Sequence, residues 1–226
     1  MSEKQKTLGK EVSLSGIGLH TGRQVNLTMK PAKENTGFVF VRTDLEGNPQ
    51  VEADVNYVTT TERGTTLEKL GVKIHTCEHL LAALVGMDID NAILEMNSAE
   101  APIMDGSSKF FVEAIEEAGV VEQDQNREYL VIKEVMNYVD PNTGSEITII
   151  PSENYEITTM VDFGTKILGT QNASLKNISD FNGFTFKDDY FIAVGDKRKE
   201  LIDGLSFYGL LGKHSHNKFI PNQYKY

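Results

Sequence analysis

From Gln24 to Lys30 the apolar residues Val25, Leu27 and Met29 alternate with polar ones, as a strand with one buried face requires. Gly37 to Arg42 is a compact β-branched and aromatic run that predicts a second strand, and Asn91 to Met96 a third, after a turn at Asp88-Ile89-Asp90. Two helices are expected. Thr76 is placed to cap one that runs through Leu84 and ends at Gly86, with Leu80, Leu81 and Leu84 toward the core. The other covers about Lys109 to Ala118, with Phe111, Ala114, Ile115 and Ala118 on one side and Gly119 as its stop. Strands are expected again at Tyr129 to Lys133, Glu146 to Ile150 and Tyr155 to Val161, with Asp140 to Gly144 as the turn between the first two. The polar run Glu122 to Glu128 is read as a linker, giving domains at 1–121 and 129–226. Past about Asn182 the pattern loosens. A helix is expected over Lys199 to Leu211, and the end from Lys213 to Tyr226 is polar.

Composition narrows the function classes. The 226 residues suit one large domain or two small ones, and 39% hydrophobic residues support a packed core. A net charge of -11 repels phosphate backbones, so no nucleic acid partner is expected. The single cysteine, Cys77, permits no internal disulfide and fits a reducing compartment. Met1 to Lys6 lacks the apolar run of a signal peptide, and no stretch is apolar enough to span a bilayer. A cytoplasmic monomer is expected. Transient contact with a membrane surface to collect a lipid stays open, although no basic amphipathic helix argues for it.

Three clusters carry candidate chemistry. In His75-Thr76-Cys77-Glu78-His79, two histidines four apart would share a helical face and reach one metal ion, with Glu78 as general base for a metal-bound water. The same spelling, H-x-x-E-H, is that of inverted zinc metallopeptidases. The alternative is a polar helix start with solvated side chains. Ser15 to Gly22 holds three glycines and His20, which fits either a loop that hydrogen-bonds a polar substrate group or a tight hairpin with a surface histidine. In Ala101 to Ser108, Asp105 and Ser107 are able to cap the next helix, or Asp105 to orient a catalytic group. His214 and His216 form a weaker metal-binding pair or a solvated one.

Taken in order, Gly16-Ile17-Gly18-Leu19-His20-Thr21-Gly22, Thr76-Cys77-Glu78-His79-Leu80-Leu81-Ala82-Ala83-Leu84, Asp90-Asn91 and Pro102-Ile103-Met104-Asp105-Gly106-Ser107 resemble the motif series of the UDP-3-O-acyl-N-acetylglucosamine deacetylases of lipid A biosynthesis. Thr60 to Leu67, Val161-Asp162-Phe163 and Leu168 to Gln171 extend the resemblance over roughly the first three quarters of the chain. It implies an α+β fold of two helix-and-sheet sandwich domains packed face to face, with the active site between them. It also implies one Zn2+ on two histidines and an aspartate, and a UDP-linked acylated amino sugar as substrate. By the same resemblance His79 is a zinc ligand, Glu78 the general base, and His20 and Asp105 lie near the site. His75 matches no ligand position, which demotes the peptidase reading.

The second half departs from the family pattern. The Arg-Thr-Phe-Gly-Phe stretch and the Gly-Gly-Ser-rich segment have no counterpart, so the second domain is expected to be shortened. One alignment makes Asp196 the catalytic aspartate but puts Ile192 and Asp188 at ligand positions. Another makes Asp203 the zinc aspartate but puts Lys199 and Phe207 where a histidine and an aspartate belong. His214 or His216 is then left as a substitute ligand. An inactive or truncated family member that still binds the nucleotide sugar is the competing expectation.

Overall fold

Strand β3 (Gln24–Pro31) turns the period-two pattern into a buried face, with Val25, Leu27 and Met29 fully enclosed. The computed structural model describes residues 3–61, 64–164, 166 and 169–176. It has a mixed α+β architecture. β1 is Lys4–Leu8, β2 Val12–Ile17, β4 Phe38–Arg42 and β5 Gln50–Glu52. β9 is Ala92–Met96. All of these but β1 join β3 in a five-stranded sheet in the order β2-β3-β9-β4-β5, antiparallel except for the β9–β4 pair. β4 is buried along its whole length, as a central strand should be.

A smaller antiparallel sheet holds β6 (Val58–Thr60), β7 (Thr66–Lys69) and β8 (Val72–His75). Helix α1 (Glu78–Gly86) follows β8, and helix α2 (Lys109–Ala118) packs against α1 and β2. Every residue of α1 is buried, so α1 is an interior helix rather than an amphipathic surface one. α2 buries Phe111, Val112, Ala114, Ile115 and Ala118 and ends at Gly119, whose φ of 72° suits a residue without a Cβ. Both helices and the large sheet enclose one core, which includes Leu27, Phe40, Leu80, Leu84, Leu94 and Phe111.

Three expectations are corrected here. The polar run expected to be a linker supplies most of β10 (Val120–Asn126), which pairs antiparallel with β1, Leu8 opposite Val120 and Lys6 opposite Glu122. β10 has mostly exposed side chains and needs no apolar pattern, because its backbone pairing with the half-buried β1 is what holds it. Tyr129 to Lys133 forms no strand; Tyr129, Leu130 and Val131 are exposed and have no strand partner among the described residues. Regular structure resumes with the hairpin β11 (Met136–Val139) and β12 (Glu146–Ile149), joined by the expected Asp140–Gly144 turn. A second hairpin, β13 (Ile157–Asp162) and β14 (Thr170–Leu175), reaches the core through Leu175 and Ile157. Thr76 does not cap α1: the N-cap is Cys77, without a side-chain hydrogen bond, and the Thr76 hydroxyl donates elsewhere. The segments around Asp196, Asp203, His214 and His216, and the expected 199–211 helix, lie outside the described residues.

Candidate active site

The start of α1 carries Glu78 and His79 into the interior because the helix they open is apolar all round. Glu78 Oε2 accepts a hydrogen bond from the Thr65 N–H at 2.9 Å, and Glu78 Oε1 lies 3.8 Å from His79 Nε2. Burial pushes the Glu78 carboxyl up to about 7, against the Thr65 hydrogen bond, which favours the anion. A helix N-terminus also favours negative charge, but desolvation outweighs it here. A carboxyl poised near neutrality is suited to accepting and returning a proton. Gly64 stands beside it with φ at 145°, and a Cβ there would sit 3.3 Å from Glu78 Oε1. Cys77 is not a nucleophile: burial, and then the neighbouring Glu78 charge, hold its thiol well above the usual range.

His75 and His79 do not share a helical face. His75 closes β8, where its Nδ1 is 2.9 Å from Thr66 Oγ1, and the chain turns before α1 starts. The turn is made by Thr76 at φ 54°, a left-handed conformation that a β-branched residue rarely adopts. The backbone entering this turn is held by Ala99 and Ala101: His75 N–H donates to Ala99 O, and Ala101 N–H donates to His75 O. Burial lowers the His75 pKa, with Glu100 opposing.

His20 is exposed on the tight loop between β2 and β3. Its backbone N–H points inward to Glu100 Oε1 at 2.9 Å. The third motif is docked on the same hairpin: Ile103 N–H donates to Ile17 O, and Gly16 lies so close to Pro102 and Met104 that a Cβ would meet both at 2.9 Å. Asp105 is exposed on the turn before α2. Its Oδ1 accepts from the Ser107 N–H and hydroxyl, and Ser107 Oγ in turn accepts from the Lys109 N–H. The N-cap of α2 is Ser108, without a side-chain cap bond; Ser107, one residue earlier, satisfies the Lys109 N–H, and Asp105 orders Ser107. Ser108 ties α2 to α1 through a 2.9 Å bond to His79 O.

Glu100 is the residue that sequence reasoning missed. It is fully buried, and its carboxylate accepts from His20 N–H, Thr21 N–H, the Thr21 hydroxyl and the Thr76 hydroxyl. Burial works to raise its pKa, but these hydrogen bonds prevail and hold it below the ordinary value. The available signal was an acid set among small residues, Ser98-Ala99-Glu100-Ala101, directly before the third motif.

The three motifs thus converge on one region, with a buried carboxyl and imidazole at its centre. The model of the LpxC family, UDP-3-O-acyl N-acetylglycosamine deacetylase, matches residues 5–190. This chain belongs to the LpxC family. It is similar to the bifunctional enzyme LpxC/FabZ of Chlorobaculum tepidum, 45% identical over 76% of this chain and 37% of that one. It is also similar to the UDP-3-O-acyl-N-acetylglucosamine deacetylases of Hahella chejuensis, 40% identical over 81% of this chain and 59% of the relative, and Myxococcus xanthus, 42% over 77% and 55%. The chain spans between 37% and 59% of the length of these relatives. Among the described residues no three His, Cys, Asp or Glu side chains converge to hold a metal. No helix among the described residues is long and apolar enough to cross a membrane.

Proposed function

We propose that this chain is a Zn2+-dependent deacetylase that hydrolyses the N-acetyl group of UDP-3-O-acyl-N-acetylglucosamine in lipid A biosynthesis. The observation that carries the reading is the Glu78–His79 pair. A carboxyl held near neutrality stands beside a buried imidazole, and both lie in the family motif. Zinc, when bound, supplies a more acidic water and polarises the amide carbonyl. Glu78 takes the proton from the attacking water and returns it to the leaving amine. His79 is one metal ligand, and Asp203, His214 and His216 are candidates for the others, with Asp196 as a further catalytic carboxylate. His20 contacts the substrate from its loop, and Asp105 keeps Ser107 and the start of α2 in place. The two-domain division belongs to the proposal with its boundary moved to the end of β10. So do a reducing, cytoplasmic setting, transient membrane-surface contact and a monomeric state.

Acetate release from the nucleotide sugar tests the reading. Turnover is expected in the zinc-supplemented chain and is expected to fall at least 100-fold in Glu78→Ala, the scale of a lost proton-transfer group. Turnover unchanged in Glu78→Ala would overturn the assignment. A second reading is a family member that binds the nucleotide sugar without turnover, since neither alignment of the second half restores both remaining ligand positions. Saturable binding of the nucleotide sugar with no acetate release would select it. The peptidase reading loses its basis, because His75 is on β8 and bound to Thr66.

A further inference from the structure

Glu100 joins two elements that the sequence keeps far apart. Its Oε1 takes the His20 N–H at 2.9 Å and the Thr76 hydroxyl at 3.3 Å, and its Oε2 takes the Thr21 N–H at 2.9 Å. Thr76 is the left-handed turn that aims α1, two residues before Glu78. His20 is on the glycine loop across from it. Gly18 completes the arrangement: a Cβ there would lie 2.5 Å from Glu100 Oε2 and 2.4 Å from Thr21 Oγ1, so only glycine leaves room for the carboxylate. A buried carboxylate with every donor drawn from two loops is a rigid clip, and a neutral or shorter side chain would leave N–H groups without acceptors.

We propose that Glu100 is a positioning residue that fixes the His20 loop against the turn launching the Glu78–His79 helix, so that both sides of the site meet one substrate in register. The role in turnover rests on the deacetylase reading. The clip itself does not, and the experiment separates the two. Backbone amide exchange is followed in wild type, Glu100→Gln and Gly18→Ala, the last displacing the carboxylate without altering it. In both variants the His20 and Thr21 amides are expected to exchange about tenfold faster or more, while α1 and β3 amides stay within about twofold. Unchanged exchange at His20 and Thr21 would overturn the proposal, as would equal acceleration throughout α1 and β3, which would make Glu100 a general core residue. In the turnover assay, Glu100→Gln is expected to raise KM as His20→Ala does, with the double variant little worse than either single one. Fully additive losses would overturn the link to His20. A wild-type chain without turnover counts against the deacetylase reading alone, and the exchange rates still decide the clip.

Discussion

Glu78 is a carboxyl placed where its charge is unwelcome. Its pKa in the fold is about 7, against an ordinary 4.5. A folded-state value above the unfolded one means that stability is fully present below about pH 4.5 and declines as pH rises through 7. In metal-free protein, Glu78→Gln removes an ionisation cost on the order of 3 kcal/mol at high pH and nothing at low pH. The variant is therefore expected to melt above wild type at pH 8 and with it at pH 4, by calorimetry in the presence of a chelator. A variant less stable at pH 8 would contradict the assigned burial. At this scale Glu78 and His79 were legible because the motif places them side by side, whereas Glu100 was not. Its partner His20 is 80 positions away, and nothing local in Ser98 to Ala101 names the donors.

Helix α1 is the element that makes the site. Its end near Gly86 and its apolar faces were legible from Leu80, Leu81 and Leu84, and those residues are buried as expected. The entry to α1 was not, because Thr76 looks like a cap and instead takes the left-handed turn between β8 and α1. That turn also takes His75 off the helix, a distinction that residue spacing alone does not carry. Leu84 is fully enclosed, so Leu84→Ala should cost about 2–5 kcal/mol by urea denaturation. A loss under about 1 kcal/mol would mean that α1 is not the interior helix described.

At the scale of the molecule, the β1–β10 ribbon and the residue after it tie the start of the described chain to the turn that follows α1. Arg127 is the clamp: its guanidinium bonds Asp90 through both carboxylate oxygens, Asp88 at 2.7 Å and Glu3 at 3.1 Å, with only 9% of its side chain exposed. A polar run reads as a linker when its partners are invisible, and this one is held by acids from the far side of the sequence. Arg127→Ala should cost roughly 2 kcal/mol at pH 7, since it strands two half-buried carboxylates. For Asp88, burial pushes its pKa up, but Lys6 and Arg127 more than reverse this and leave it lowered. Its contribution is present above the ordinary carboxylate range and lost as pH falls through the folded value, so the deficit of Arg127→Ala should shrink in acid. A deficit that grows in acid would contradict the clamp.

The family, the converging motifs and the Glu78–His79 pair all point to a hydrolytic metal site, and the zinc content of the purified chain tests it most directly. About one zinc per chain, lost in His79→Ala, is the expected result. No zinc in wild type after zinc supplementation, or zinc retained undiminished in His79→Ala, would contradict the assignment of His79 as a ligand and with it the proposed hydrolysis.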